Sequence, residues 1–243
     1  MMCKKNTIFV LPDMKAADII LNNPYLMILL EHFEINFEMR EKSVKQICKE
    51  KNINLDLFLT LANLFNGHTT DNKSNYSFEE IKTIIVFLKK SHQNYLEEKY
   101  PKIELCLKKM LELNDHPQVL MAEKFFCEYY NEVKEHFNYE NKVVFPYVIS
   151  LHSIINNGQP NLLEGSYSVA EYKEHHDNIE EKLEDLKSLL IKYLPVKNDQ
   201  IIRRELLFGL FSLEYDLNIH AQIEDNILIP LVELMEQHIK HLK

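Results

Sequence analysis

The chain has few of the residues that break helices: four glycines and eight prolines in 243 residues. Set against abundant Leu, Ile, Glu and Lys, that scarcity excludes a turn-rich β fold and predicts an all-α protein. Cysteine is scarce too, and Cys3, Cys48, Cys106 and Cys127 fall singly, with no C-x-x-C pair. This excludes a thiolate zinc site and a disulfide framework, and it places the chain in a reducing cytoplasm. No apolar run reaches the length of a membrane span, and Ile8-Phe-Val-Leu11 is too short for a signal peptide. A basic face is also missing. The net charge of −9 and the absence of lysine or arginine interleaved with aromatics exclude nucleic acid as a partner.

What is present is a phrase written twice. His136-Phe-Asn-Tyr-Glu140 runs on to Pro146, and His220-Ala-Gln-Ile-Glu224 runs on to Pro230. Both read His-x3-Glu-[Asn/Asp]-x3-[Phe/Ile]-Pro. Composition alone predicts roughly 0.04 copies of His-x3-Glu-x5-Pro in such a chain, so chance does not explain two. Residues four apart on a helix share a face, so each phrase offers an imidazole and a carboxylate to one point. The two prolines fall inside helical patterns and are expected to kink or tighten each helix just past the carboxylate.

The polar, turn-rich stretch Asn66-Gly-His-Thr-Thr-Asp-Asn-Lys-Ser-Asn-Tyr76 divides the chain. Residues 1–66 read as a small helical domain, 67–77 as a linker and 78–243 as a bundle. In the small domain Pro24 opens one helix, and Ser43-Val-Lys-Gln46 forms a capping box for a second. A third begins near Asp56, with Leu57, Leu61 and Leu64 on one face. After the linker come four apolar seams with 4-3 spacing. The first is Ile81, Ile85, Leu88, His92 and Tyr95; the second is Phe126, Tyr129, Val133, His136, Glu140 and Val143. The third runs Tyr172, His176, Ile179, Leu183, Leu186 and Leu190. The fourth is Leu206, Leu210, Leu213, Leu217, His220, Glu224, Ile227 and Leu231. These seams predict an antiparallel four-helix bundle preceded by a small helical domain.

Hairpin arithmetic brings the polar seam residues to one level. With a turn at residues 115–116, His92 lies about 23 residues before it and His136 about 20 after, at ~1.5 Å per residue. A turn near residue 197 puts His176 about 21 residues before it and His220 about 23 after. Four imidazoles (His92, His136, His176, His220) and two carboxylates (Glu140, Glu224) then project inward at matching height. His175 is the alternative to His176, which completes the seam. Such a donor set suits a dinuclear non-haem iron or manganese site, with two histidines per metal, bridging glutamates and an oxygen bridge. Zinc fits less well, because one zinc wants four ligands and six donors are offered. Glu180 falls outside the seam and has no following proline. His116 sits at a turn, ~30 Å from the site level by helix rise, and reads as a cap or packing residue. His32, His68, His152, His238 and His241 read as surface or packing residues.

The ligand pattern, helix order and repeated phrase resemble the hemerythrin-like proteins over residues 78–240. The segment Leu30-Glu-His-Phe-Glu-Ile-Asn-Phe37, with Ser43-Val-Lys-Gln-Ile-Cys-Lys-Glu50 and Phe58-Leu59, is similar to the N-terminal domain of the repair-of-iron-centres family. Those di-iron proteins are associated with restoring iron–sulfur clusters damaged by nitric oxide or peroxide. The resemblance implies His92, His136, Glu140, His176, His220 and Glu224 as ligands of two oxo- or hydroxo-bridged non-haem irons. The His-Asp order at His176 agrees with it. It also implies O2, NO or peroxide as small ligands, iron–sulfur proteins as clients, and a homodimer as an assembly to test. Reversible O2 or NO binding without turnover is the alternative. One departure stands out: Glu38-Met39 occupy the place where that family carries adjacent cysteines.

Overall fold

The computed structural model describes residues 8–69, 77–114, 116–157, 167–175, 181–195 and 197–242. Among these the regular structure is helical and no strand forms; a single β-bridge joins Lys15 to Ser43. The helices are α1 (Ala16–Asn22), α2 (Leu26–His32), α3 (Val44–Lys51), α4 (Leu55–Phe65), α5 (81–113), α6 (117–157), α7 (Val169–His175), α8 (Glu181–Lys192) and α9 (200–242). None of them is long and apolar enough to cross a membrane. The linker expected at 67–77 lies largely outside the described residues.

The described residues group into two compact units. One falls within Met1–Lys90, Val148–Glu164 and Gln222–Lys243, the other within Ser91–Tyr147 and Gly165–Ala221. In the first unit, local chemistry sets the short helices. Ser43 Oγ accepts from the Gln46 N–H at 3.3 Å while Gln46 Oε1 accepts from the Ser43 N–H at 2.8 Å. That reciprocal pair satisfies two otherwise orphaned donors, as the sequence predicts. Asn52, at φ 55°, ends α3 in the left-handed region, and Asn54 Oδ1 caps α4 on the Leu57 N–H at 3.0 Å. Leu57, Leu61 and Leu64 are buried. Asn63, also buried, exchanges two hydrogen bonds with the Val10 backbone and ties the chain leading into α1 to α4.

The second unit has a core of Phe126, Phe137, Leu186, Leu190, Leu210 and Leu213, among others. Full burial of each such side chain contributes about 1.5–3 kcal/mol relative to exposure. His116 is the N-cap of α6, its Nδ1 accepting from the Gln118 N–H at 3.4 Å. It is a cap, as its position at a turn suggests. At the turn before α9, the Arg203 guanidinium donates to the carbonyls of Leu190, Leu194 and Pro195 and to Asp199 Oδ2, each at 2.9 Å. Asn114 Nδ2 reaches the same Pro195 carbonyl at 3.1 Å. These bonds satisfy the helix-end carbonyls that no backbone donor reaches.

Of the two outcomes expected at the prolines, a kink or a tightening, the helices do not tighten. Helices α5, α6 and α9 each widen into one π-turn, at Tyr95–Lys99, Glu140–Val144 and Glu224–Leu228. In each the N–H after the turn bonds five residues back, from Tyr100, Phe145 and Ile229 to the carbonyls of Tyr95, Glu140 and Glu224. Pro101, Pro146 and Pro230 come next. A proline ring clashes with the carbonyl four residues back and offers no N–H; one extra residue in the preceding turn relieves both problems. The insertion also shifts the buried face. Val143, placed in the seam by strict 4-3 spacing, is 38% exposed, and Val144 is buried at 0%.

Cys48 is 1% exposed on α3, and burial pushes its thiol up to about 12. The thiolate is the nucleophile that attacks an alkylating reagent, so at about pH 9 Cys48 is expected to resist alkylation in the folded protein. Peptide mapping should find Cys48 labelled only after denaturant is added, whereas the half-buried Cys106 and Cys127 label first. Labelling of Cys48 at the denatured rate would contradict the packing described.

Candidate metal centre

Among the described residues, the proposed ligands stand beside widened turns. His92 lies on α5 three residues before the first π-turn; His136 lies four residues before Glu140, which opens the second on α6. His220 precedes Glu224 by one helical turn on α9, and Glu224 opens the third π-turn. His176 and Glu180 lie outside the described residues. Within the second unit one ligand atom from each of His92, Glu140 and His220 falls within 4.8 Å of the others. His92 Nε2 faces His220 Nε2 at 3.1 Å and Glu140 Oε2 at 3.3 Å. His136 Nε2 stands 3.4 Å from Glu140 Oε1. Donor atoms that share a metal at ~2.1 Å lie roughly 3–3.5 Å apart at right-angled or tetrahedral positions, so these spacings are those of a ligand shell.

The tautomer of His92 sharpens the fit. Its Nδ1–H donates to Asn141 Oδ1 at 3.3 Å, so Nε2, which faces the Glu140 carboxylate and the His220 ring, is the nitrogen that a proton or a metal would occupy. Two acceptors cannot face each other in a buried space without a proton or a cation between them. Glu140 is 0% exposed and Glu224 1%. Burial alone would raise the Glu140 carboxyl's pKa. Hydrogen bonds and charge from His136 and His92 outweigh burial and hold it well below the usual carboxylate range. The donors present, imidazole and carboxylate, suit iron, manganese or zinc over a soft metal.

The walls are aromatic. The His92 ring stacks on Phe137, 4.2 Å between centroids, and on Phe145 at 5.6 Å. Tyr95 meets His220 edge-on at 5.8 Å. Tyr172 on α7 donates to Glu140 Oε1 at 3.3 Å. The His136 side chain is 10% exposed against 1% for His92, so the solvent edge of this part of the site lies at His136.

Three participants escaped the sequence reading. Asn141 is the residue after the glutamate in the repeated phrase; its recurrence as Asn or Asp was visible without its role. Tyr172 was read as core because phenols also fill seams. The π-turn at Tyr95 was missed although Tyr95-x5-Pro101 copies the Glu-x5-Pro spacing, with tyrosine in the carboxylate's place. The segment with the departed cysteine pair is plainly structural. Glu38 is exposed and paired with Arg40 at 2.9 Å, and Met39 is buried at 3%.

The family described as hemerythrin HHE cation binding domain matches residues 83–232. The chain is also similar to a Staphylococcus haemolyticus protein named iron-sulfur cluster repair protein ScdA. The two are 19% identical over 188 residues, which cover 76% of this chain and 82% of that protein.

Asn141→Ala removes the acceptor that orients His92. It is expected to weaken metal binding by roughly 10–100-fold, read by cobalt(II) titration of visible absorbance, with helical content unchanged. Wild-type affinity in that variant would show that the bond carries no weight.

Proposed function

The chain belongs to the hemerythrin family of HHE cation-binding domains, and from that premise we propose that it is a non-haem di-iron protein. Its proposed role is the protection or repair of iron–sulfur clusters damaged by nitrosative or oxidative stress. The observation that carries the metal reading is the buried set of His92, Glu140 and His220, whose candidate ligand atoms lie within 4.8 Å of one another. The proposed ligands are His92, His136, Glu140, His176, His220 and Glu224. Imidazole and carboxylate donors admit iron or manganese. The name of the staphylococcal relative, a cluster repair protein, favours iron. Residues 1–66 are proposed as a separate helical module and 78–243 as the bundle that carries the ligands.

When bound, the two irons would supply an open position for O2, NO or peroxide. The protein's own contributions are orientation and exclusion. Asn141 fixes the His92 ring, Phe137 and Phe145 keep water from its faces, and Tyr172 holds one oxygen of Glu140. The edge at His136 is where a small molecule would enter.

A second reading, reversible O2 or NO binding without turnover, is favoured by one observation. Glu38 is a solvated charge and Met39 a core residue, so this segment offers no thiols for handling iron.

Metal analysis of protein purified without chelators is expected to find about two irons per chain. His220→Ala should lose the ferric visible bands. Stoichiometric zinc without iron would sink the proposal. Stopped-flow mixing of the reduced protein with O2 or NO separates the two readings: rapid oxidation or NO reduction supports repair chemistry, and a stable reversible adduct supports storage or sensing.

A further inference from the structure

We propose that Tyr172 is a positioning residue of the metal centre that sets how strongly Glu140 donates to a bound cation. The inference rests on the di-iron reading and goes beyond its ligand set. Tyr172 is 1% exposed, on a helix whose seam would be filled equally well by leucine or phenylalanine. A buried phenol needs a partner for its hydroxyl, and here that partner is Glu140 Oε1 at 3.3 Å. The same carboxylate meets His136 through Oε1 at 3.4 Å and His92 through Oε2 at 3.3 Å. Among the described residues the neutral O–H donor reaches Oε1, while Oε2 faces the His92 ring. Tyr139 donates to Tyr167 at 3.2 Å, and Tyr100 and Tyr129 pair with each other at 2.8 Å.

The consequence is electronic as well as steric. A hydrogen bond from an O–H to a buried carboxylate draws charge from both oxygens, and low local polarity strengthens it. A carboxylate so engaged donates less to a metal, and the loss is larger for a more highly charged ion. Tyr172 thus favours the ferrous over the ferric state and pins the carboxylate plane. Outer-shell partners of ligating groups have this kind of influence in metal sites generally.

The test compares three iron-loaded full-length proteins: wild type, Tyr172→Phe and Tyr129→Phe. All three are checked first for two irons per chain and for helical content. Tyr172→Phe is expected to lower the midpoint potential of the iron pair and to shift its ferric visible bands. Tyr129→Phe also removes a buried hydroxyl, the one that pairs with Tyr100 at 2.8 Å, and it should leave both readings at wild type. Should Tyr172→Phe fail to fold, 3-fluorotyrosine at position 172 keeps the ring and strengthens the donor; the potential should then rise. A correctly folded Tyr172→Phe protein with wild-type potential and spectrum overturns the inference, as does an equal shift in Tyr129→Phe. A wild-type protein without iron removes the di-iron reading and this inference with it, an outcome distinct from an iron-loaded variant that does not shift.

Discussion

A carboxylate with no exposed surface must be neutralised where it stands, and Glu140 imposes that requirement on everything around it. An ionised carboxylate left unpaired in such a place costs several kcal/mol. Its partners here are the rings of His92 and His136, which hold it well below the usual carboxylate range against the opposing effect of burial. Imidazole can answer the charge in two ways, by carrying a proton or by sharing a metal. With Nδ1 of His92 given to Asn141, the group facing Glu140 is the nitrogen that either proton or metal would occupy. Positive charge at that point is a condition of the fold. A cation taken up there would displace protons, and its binding would add to the stability of the helices that present the donors.

The helices meet this requirement by departing from regular geometry. Each proline after a π-turn removes one backbone donor and crowds one carbonyl, which in an α-helix interior would cost about 3 kcal/mol or more. The wider turn accommodates the ring, and it does so at the first residue of each turn, where Glu140 and Glu224 stand. One extra residue rotates everything beyond it by ~100° relative to an unbroken α-helix. That rotation lets an apolar seam pass through a carboxylate and still present Val144, not Val143, to the core. A spacing that reads as a metal phrase in the sequence is therefore also a backbone instruction. Histidine and glutamate supply donors, and the proline fixes the turn from which the glutamate projects.

Most of the helical architecture was legible because its signals are local. Ser43 and Gln46 cap α3 through bonds between neighbours, and His116 caps α6 for the same reason. The seams of His92, His136 and His220 could be read because a 4-3 pattern tolerates no polar residue without cause. What stayed hidden depends on contacts between elements or on departures from 3.6 residues per turn. The bond from Tyr172 to Glu140 joins residues 32 apart, and nothing near either one announces it. The His92–Asn141 bond likewise crosses between α5 and α6. Val143 was misplaced because a strict period was carried through a π-turn. Pro101 would have warned of the first such turn, had its spacing from Tyr95 been compared with the two glutamate phrases.

Glu38 and Met39 have packing roles and bring no thiol to their segment. The segment from Glu34 to Arg40 is bounded by two residues with positive φ, 54° and 49°. Ile35 and Met39 are buried within that span. Packing determines the segment's shape, and Met39 serves as core where a thiol would have to be exposed and ionised to act. Cys48 does not replace it, because burial keeps its sulfur protonated. A metal or electron delivered through thiolates at this place is thus excluded by structure as well as by composition. Around the His92–Glu140 cluster the His136 side chain is the more exposed edge, and a buried phenol, an amide and aromatic rings stand about it.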